Sequence, residues 1–175
     1  DNAAVAVNPV QIIQFSDDAS TRWSTSDVVA RLVAGTENDD AITATVADDT
    51  IEGGAGADTL NGQAGNDTIN GGDDNDTLSG GAGQDILNGG AANDTLNGGA
   101  DNDILHGGPG NDSLQGNGGD DTFLFNLGDG RDRIEGANEN RENKANVLIL
   151  GEGINPEDVV VSRASDSLFL SFGNY

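Results

Sequence analysis

The sequence predicts an all-β chain built as a solenoid of stacked parallel coils. Three observations predict it. From Gly35 to Leu124 the chain repeats every nine residues, ten times, with no insertion or deletion. Within every unit the sixth residue is Asp and the eighth is apolar. The same stretch holds 18 acids and not one Lys or Arg. A short period of this kind marks a repeat architecture, in which each unit is too small to bury its own apolar face and must stack on its neighbours.

Each element of a unit follows from its residues. The first six positions read as a turn. Gly fills position one in nine of the ten units, with Ala44 the exception. Gly allows positive φ and close backbone approach, so that carbonyl oxygens can converge. The last three positions, such as Thr59-Leu60-Asn61, read as a short strand whose side chains alternate, the Leu inward and its neighbours outward. The inward column is Ile42, Ile51, Leu60, Ile69, Leu78, Leu87, Leu96, Leu105, Leu114 and Phe123. Two units then close one coil, and successive coils stack about 4.8 Å apart. The turn of one unit lies beside the turn of the next unit but one.

The sixth-position column is Asp40, Asp49, Asp58, Asp67, Asp76, Asp85, Asp94, Asp103, Asp112 and Asp121. Asp is common in turns, but ten at one phase point to metal ligation. With the glycines at the second and fourth positions (Gly54, Gly56, Gly65, Gly72, Gly81, Gly83, Gly90, Gly99, Gly108, Gly110 and Gly119), they form the expected oxygen donors. An all-oxygen set suits a hard, many-liganded cation, which means Ca²⁺ ahead of Mg²⁺. Zinc is disfavoured, because the chain has no Cys and one His. Ten turns make eight stacked pairs, six of them within units three to ten. About six to eight Ca²⁺ are therefore expected, with the sites touching unit two the weakest because its turn lacks Gly. The fourth position carries Asn38, Asp74, Ala92 and Asp101 in place of Gly, and Ala92 is the costliest of these. One aliphatic side chain per nine residues is a thin core, and like charges oppose the compact state. The metal-free block is expected to be disordered, with calcium binding and folding a single event.

Other positions read more plainly. Asp39, Asp48 and Asp120, at position five, read as solvated turn residues. His106 reads as a surface side chain, Trp23 as packing in the first flank, and Pro109 as a turn residue. The outward Thr row at position seven raises an ice-binding surface. The row is broken by Ile86 and Ile104, and the third turn position carries no Thr in any unit, so the reading is disfavoured.

The flanks are separate. Residues 1–34 and 125–175 bracket the block at 35–124. A weak capping box at Ser24–Asp27 predicts a short helix over 25–34, stopped by Gly35. Phe123, Phe125 and Leu127 offer bulk to close the last coil. Residues 146–150 predict a strand, and Asn155-Pro156 predicts a single helical turn. The alternating "VVVSR" and "LFLSF" predict a hairpin across Ala164–Ser167.

A formal charge of −24 argues against nucleic acid and anionic membranes as partners, and no apolar run reaches the length of a membrane span. No nucleophile, acid–base pair or catalytic metal site is evident, so the fragment is expected to be non-catalytic. It opens at Asp1 without a leader, which reads as a piece of something longer.

The repeat units resemble those of the RTX family, the haemolysin-type calcium-binding nonapeptide repeats. The resemblance continues into 120–136 and 150–172, and 10–23 is similar to the end of another flank. It implies a right-handed parallel β-roll of about five two-repeat coils, export by type I secretion machinery, folding in extracellular calcium, and a C-terminal flank that caps and nucleates the roll. It leaves the parent activity open. A part of a secreted protease, lipase or epimerase, or of an adhesin or ice-binding protein, remains the alternative.

Overall fold

The computed structural model describes residues 32–135, 145–164 and 167–172. The expected flank residues 1–31, with Trp23 and most of the expected helix, lie outside them. The described chain is all-β. Seven strands form one parallel sheet in the order β1 (Leu32–Ala34), β3 (Thr50–Ala55), β5 (Thr68–Asp73), β7 (Ile86–Gly90), β9 (Ile104–His106), β11 (Thr122–Phe125) and β13 (Val147–Leu150). The facing sheet runs β2 (Ala41–Thr43), β4 (Thr59–Ala64), β6 (Thr77–Ala82), β8 (Thr95–Ala100), β10 (Ser113–Asn117) and β12 (Arg131–Glu135), all parallel. It then ends on β15 (Ser167–Phe172) and β14 (Val159–Ala164), which are antiparallel. Consecutive strands alternate between the sheets, so two units make one coil. The ladder registers equivalent positions, as in Leu60↔Leu78 and Leu78↔Leu96.

The core is the eighth-position column. From Ile42 to Phe123 each of its residues is buried between the sheets, and Phe125, Ile134 and Leu170 extend it. Phe125 stacks on Phe172 with ring centroids 5.1 Å apart, and Leu150, Val159 and Phe172 pack against the last coil. The bulky end predicted from Phe123 and Phe125 therefore serves as the closure, whereas Leu127 is exposed.

Three features differ from the sequence-based expectation. Most strands of the inner units are longer than three residues, as β4 runs through positions seven to nine and on through the next Gly-Gln-Ala, while β2 and β9 keep to three. Where the strand lengthens in this way, the turn shortens to about three residues. The position-one glycines face inward, and they are required for space rather than for φ. A Cβ on Gly62, Gly71, Gly80 or Gly89 would overlap an Asp carboxylate of its own unit and a backbone carbonyl of the next coil. Second, Leu32–Ala34 is not the end of a helix. It is β1, paired in parallel with Thr50–Glu52, because Val33 falls in register with the core residue Ile51. Third, parallel pairing continues past Leu124 through β12 and β13.

The C-terminal segment is close to its reading. Residues 147–150 are a strand, and β14 and β15 form the antiparallel hairpin. Pro156–Asp158 is a single 3-10 turn, but Asn155 does not cap it with its oxygen; its amide donates to the Asp158 carboxylate at 3.0 Å.

Candidate metal centre

The sixth-position aspartates stand in two vertical rows, one along each edge where the chain turns between sheets. Asp49 and every later member of the predicted column are buried. Each carboxylate has two distinct oxygens. From Asp58 to Asp121, Oδ1 accepts the backbone N–H of the Asp one coil earlier, as in Asp58 N to Asp76 Oδ1 at 2.8 Å. That bond ties coil to coil. The other oxygen, Oδ2, has no hydrogen-bond partner at Asp58, Asp67, Asp76, Asp85, Asp94, Asp103 and Asp112. A buried carboxylate oxygen without a donor is costly unless a cation meets it.

The surroundings of Oδ2 are rich in oxygen. The space that a Cβ on Gly53 would fill is bounded by the Asp58 carboxylate and the Gly71 carbonyl. Asp67 with Gly80, Asp76 with Gly89, Asp85 with Gly98 and Asp94 with Gly107 repeat that pairing. These position-one carbonyls are candidate donors that the sequence reading missed. Inward burial of the first glycine, which follows from strand alternation through the glycine pair, would have pointed to them. Among the described residues no three His, Asp or Glu side chains gather closely enough to hold a metal alone. Any ligation must therefore rest on one or two carboxylates with backbone carbonyls, and the donor set fits a hard, oxygen-seeking cation.

Of the predicted glycines, those at the fourth position and Gly108 occupy the turns as expected, whereas Gly54, Gly72, Gly81, Gly90 and Gly99 lie at the ends of strands; all are at positive φ except Gly110. Asp74, Ala92 and Asp101 also take positive φ, between 72° and 86°, as do Gln63 and Asn117 at position two. Ala92 is held there without Asp's local hydrogen bonding, in line with its expected cost. Asn38 is not among the positive-φ residues. The carbonyls of Gly72, Gly99 and Gly110 already accept N–H groups from Ala91, Gly118 and Arg131, which leaves each one lone pair.

Electrostatics point the same way. Burial pushes the carboxyls of Asp76 and Asp85 up to about 6 and those of Asp94 and Asp103 up to about 7. The N–H donated from the preceding coil pulls each back, and neighbouring carboxylates push it up again. Without a cation these groups resist ionising; beside one they ionise readily.

A family model for the RTX calcium-binding nonapeptide repeat matches four times, over residues 34–69, 61–96, 70–105 and 97–131. The chain belongs to the RTX calcium-binding nonapeptide repeat family. No curated protein matches it. The RTX repeats here form a β-roll, and such repeats bind calcium.

The first two turns of the RTX ladder are different. Asp40 Oδ2 accepts from both the backbone N–H and the hydroxyl of Thr36, at 2.7 and 2.9 Å. Asp49 Oδ2 is held in the same way by Thr45, at 2.8 and 2.7 Å. These turns close on themselves, and the signal was present in the sequence as Thr at position two. The position-five residues also have a task. Asp39, Asp48 and Asp120 are exposed, yet they accept the N–H of Ala57, Asn66 and Ala145 in the next coil. His106 stands on an outward column but is half-buried, with Nε2 3.2 Å from Asp129 Oδ2 and 2.8 Å from the Asn126 amide. Pro109 lies exposed in a turn, as read.

Proposed function

We propose that this RTX roll is a calcium-driven folding module of an exported protein. It passes the type I secretion machinery unfolded and becomes a rigid β-roll in extracellular calcium, holding about six to eight ions. The observation that carries this reading is the row of buried Oδ2 atoms without a donor, those of Asp58, Asp67, Asp76, Asp85 and Asp94 lying beside a backbone carbonyl of the next coil. Such a row is repulsive until cations enter it. The thin core and the charge of −24 support the same conclusion, since neither would hold the roll together in the absence of metal. The module itself is non-catalytic and serves a parent toxin, enzyme or adhesin. No helix among the described residues is long and apolar enough to cross a membrane, in keeping with a role that needs no helical span.

Circular dichroism tests the reading. In excess chelator at neutral pH the chain should give a coil spectrum, and millimolar Ca²⁺ should convert it to β, reversibly. A β spectrum of equal strength in chelator would overturn it.

A further inference from the structure

The roll does not stop at the tenth nonapeptide. Residues 127–135, "LGDGRDRIE", form one more unit, displaced by a two-residue insertion, Phe125-Asn126. Its strand β12 pairs with β10 in the ladder register, Leu114↔Ile134, and its turn meets the ninth turn through a bridge between Gly110 and Gly130. Asp132 takes the place of the sixth-position Asp. Its Oδ1 accepts the Asp112 N–H at 3.1 Å, across 20 residues instead of 18.

We propose that a divalent cation, of the calcium type, binds between the turn at 107–112 and the turn at 127–132, with Asp112 and Asp132 supplying the carboxylates. This rests on the calcium-binding reading above and adds a site outside the regular nonapeptides. Asp112 and Asp132 are 2% and 1% exposed, their carboxyls lie within hydrogen-bond reach of one another, and no other group donates to Oδ2 of either. The space in front of the Asp112 carboxylate is kept open by Gly107, where a Cβ would collide with it. A third carboxylate lies close by. Asp129 is 3% exposed and is fixed by the Asn126 N–H and by His106, while its own carbonyl accepts the Gly110 N–H. Its charge bears on both Asp112 and Asp132. The regular turns carry no buried acid at this third position, so this site is the more negative. Ligand charge count tunes calcium affinity, and this site should be among the tighter ones.

The neighbouring arginines do not supply the missing charge, and His106, whose pKa its hydrogen bond to Asp129 raises, is paired with Asp129 rather than with Asp112 or Asp132. Arg131 lies over the Phe169 ring at 5.7 Å, and Arg133 pairs with Glu135 and donates to Ser113. The opposite edge of the roll provides the contrast. There the same coil ends on Asn146, whose neutral Oδ1 accepts the Asp121 N–H at 2.9 Å. One edge closes with an amide; the other closes with a carboxylate that needs a cation.

Isothermal titration calorimetry of the full chain with Ca²⁺ tests this. Asp132→Asn keeps an oxygen for the Asp112 N–H, as Asn146 does opposite, and removes the anion. It should bind one ion fewer than the parent chain, with the circular dichroism in saturating calcium unchanged. Asp129→Asn should keep the stoichiometry and weaken one site by about tenfold. Glu157→Gln, on the exposed 3-10 turn, removes a charge and should change neither. Unchanged stoichiometry in Asp132→Asn overturns the proposal. If that variant fails to fold, Asp129→Asn decides: an isotherm identical to the parent's overturns the proposal. A parent chain that binds no calcium would instead sink the functional reading itself.

Discussion

At the scale of single residues, each sixth-position Asp from Asp58 to Asp112 has two oxygens with separable surroundings. Its Oδ1 holds the backbone of the preceding coil, and its Oδ2 meets no donor. Substitution can separate them. Asp76→Asn keeps an acceptor for the Asp58 N–H and removes the anionic oxygen. It should reduce bound calcium by about one ion and leave the saturated fold intact, as read by calorimetry and circular dichroism. Asp76→Ala loses the coil-to-coil bond as well, and chemical denaturation in calcium should show a further loss of about 1–3 kcal/mol. The column itself was legible from a strict period of nine, because periodicity reports which residues share a face. The division of labour between the two oxygens was not legible, since it depends on which donor lies one coil away. The Thr36 and Thr45 closures were missed for a different reason: a hydroxyl four residues before an Asp is common, and the turn alone aims it at the carboxylate.

At the scale of elements, the strands are set by the inward column and the coil closure by aromatics. Phe125 is 1% exposed and stacks on Phe172 of β15, joining the last parallel coil to the antiparallel hairpin. Phe125→Ala should cost about 3–5 kcal/mol, with the loss showing as a higher calcium midpoint for folding by circular dichroism. A midpoint equal to the parent's would mean the hairpin is not coupled to the roll. The hairpin and β13 were readable from local alternation of apolar residues. The addition of β12 to the parallel ladder was hidden, because the inserted Phe125-Asn126 breaks the count of nine while the structure absorbs it in a wider turn. The strand at Leu32–Ala34 was hidden by helix-like local signals that long-range pairing with β3 overrides.

At the scale of the whole molecule, folding is linked to protons as well as to calcium. The buried carboxyls of Asp58, Asp67, Asp76, Asp85, Asp94, Asp103, Asp112 and Asp132 have pKa values above those of the unfolded chain, reaching about 8 at Asp132. A group raised in this way stabilises the fold below its unfolded pKa, and that contribution is lost as pH rises through the folded value. For Asp76, Asp85, Asp94, Asp103 and Asp132 the loss runs from about pH 4 to about pH 8. The metal-free chain should therefore gain β structure on acidification from pH 8 to pH 4, as protons replace the missing cations. With calcium present the dependence inverts, because protons compete with the metal for the same oxygens. Parallel circular-dichroism titrations with chelator and with calcium check both signs, and a chelated chain equally unstructured across that range would refute the first.

The antiparallel hairpin after β12 has one more consequence. A neighbouring roll that sought to add itself end to end would meet, on that sheet, the hairpin strand β14, which lies outside the nonapeptide ladder and carries no glycine turn to stack on. The hairpin thus interrupts the stacking of like turns on that side, the contact by which interchangeable parts would otherwise add to one another.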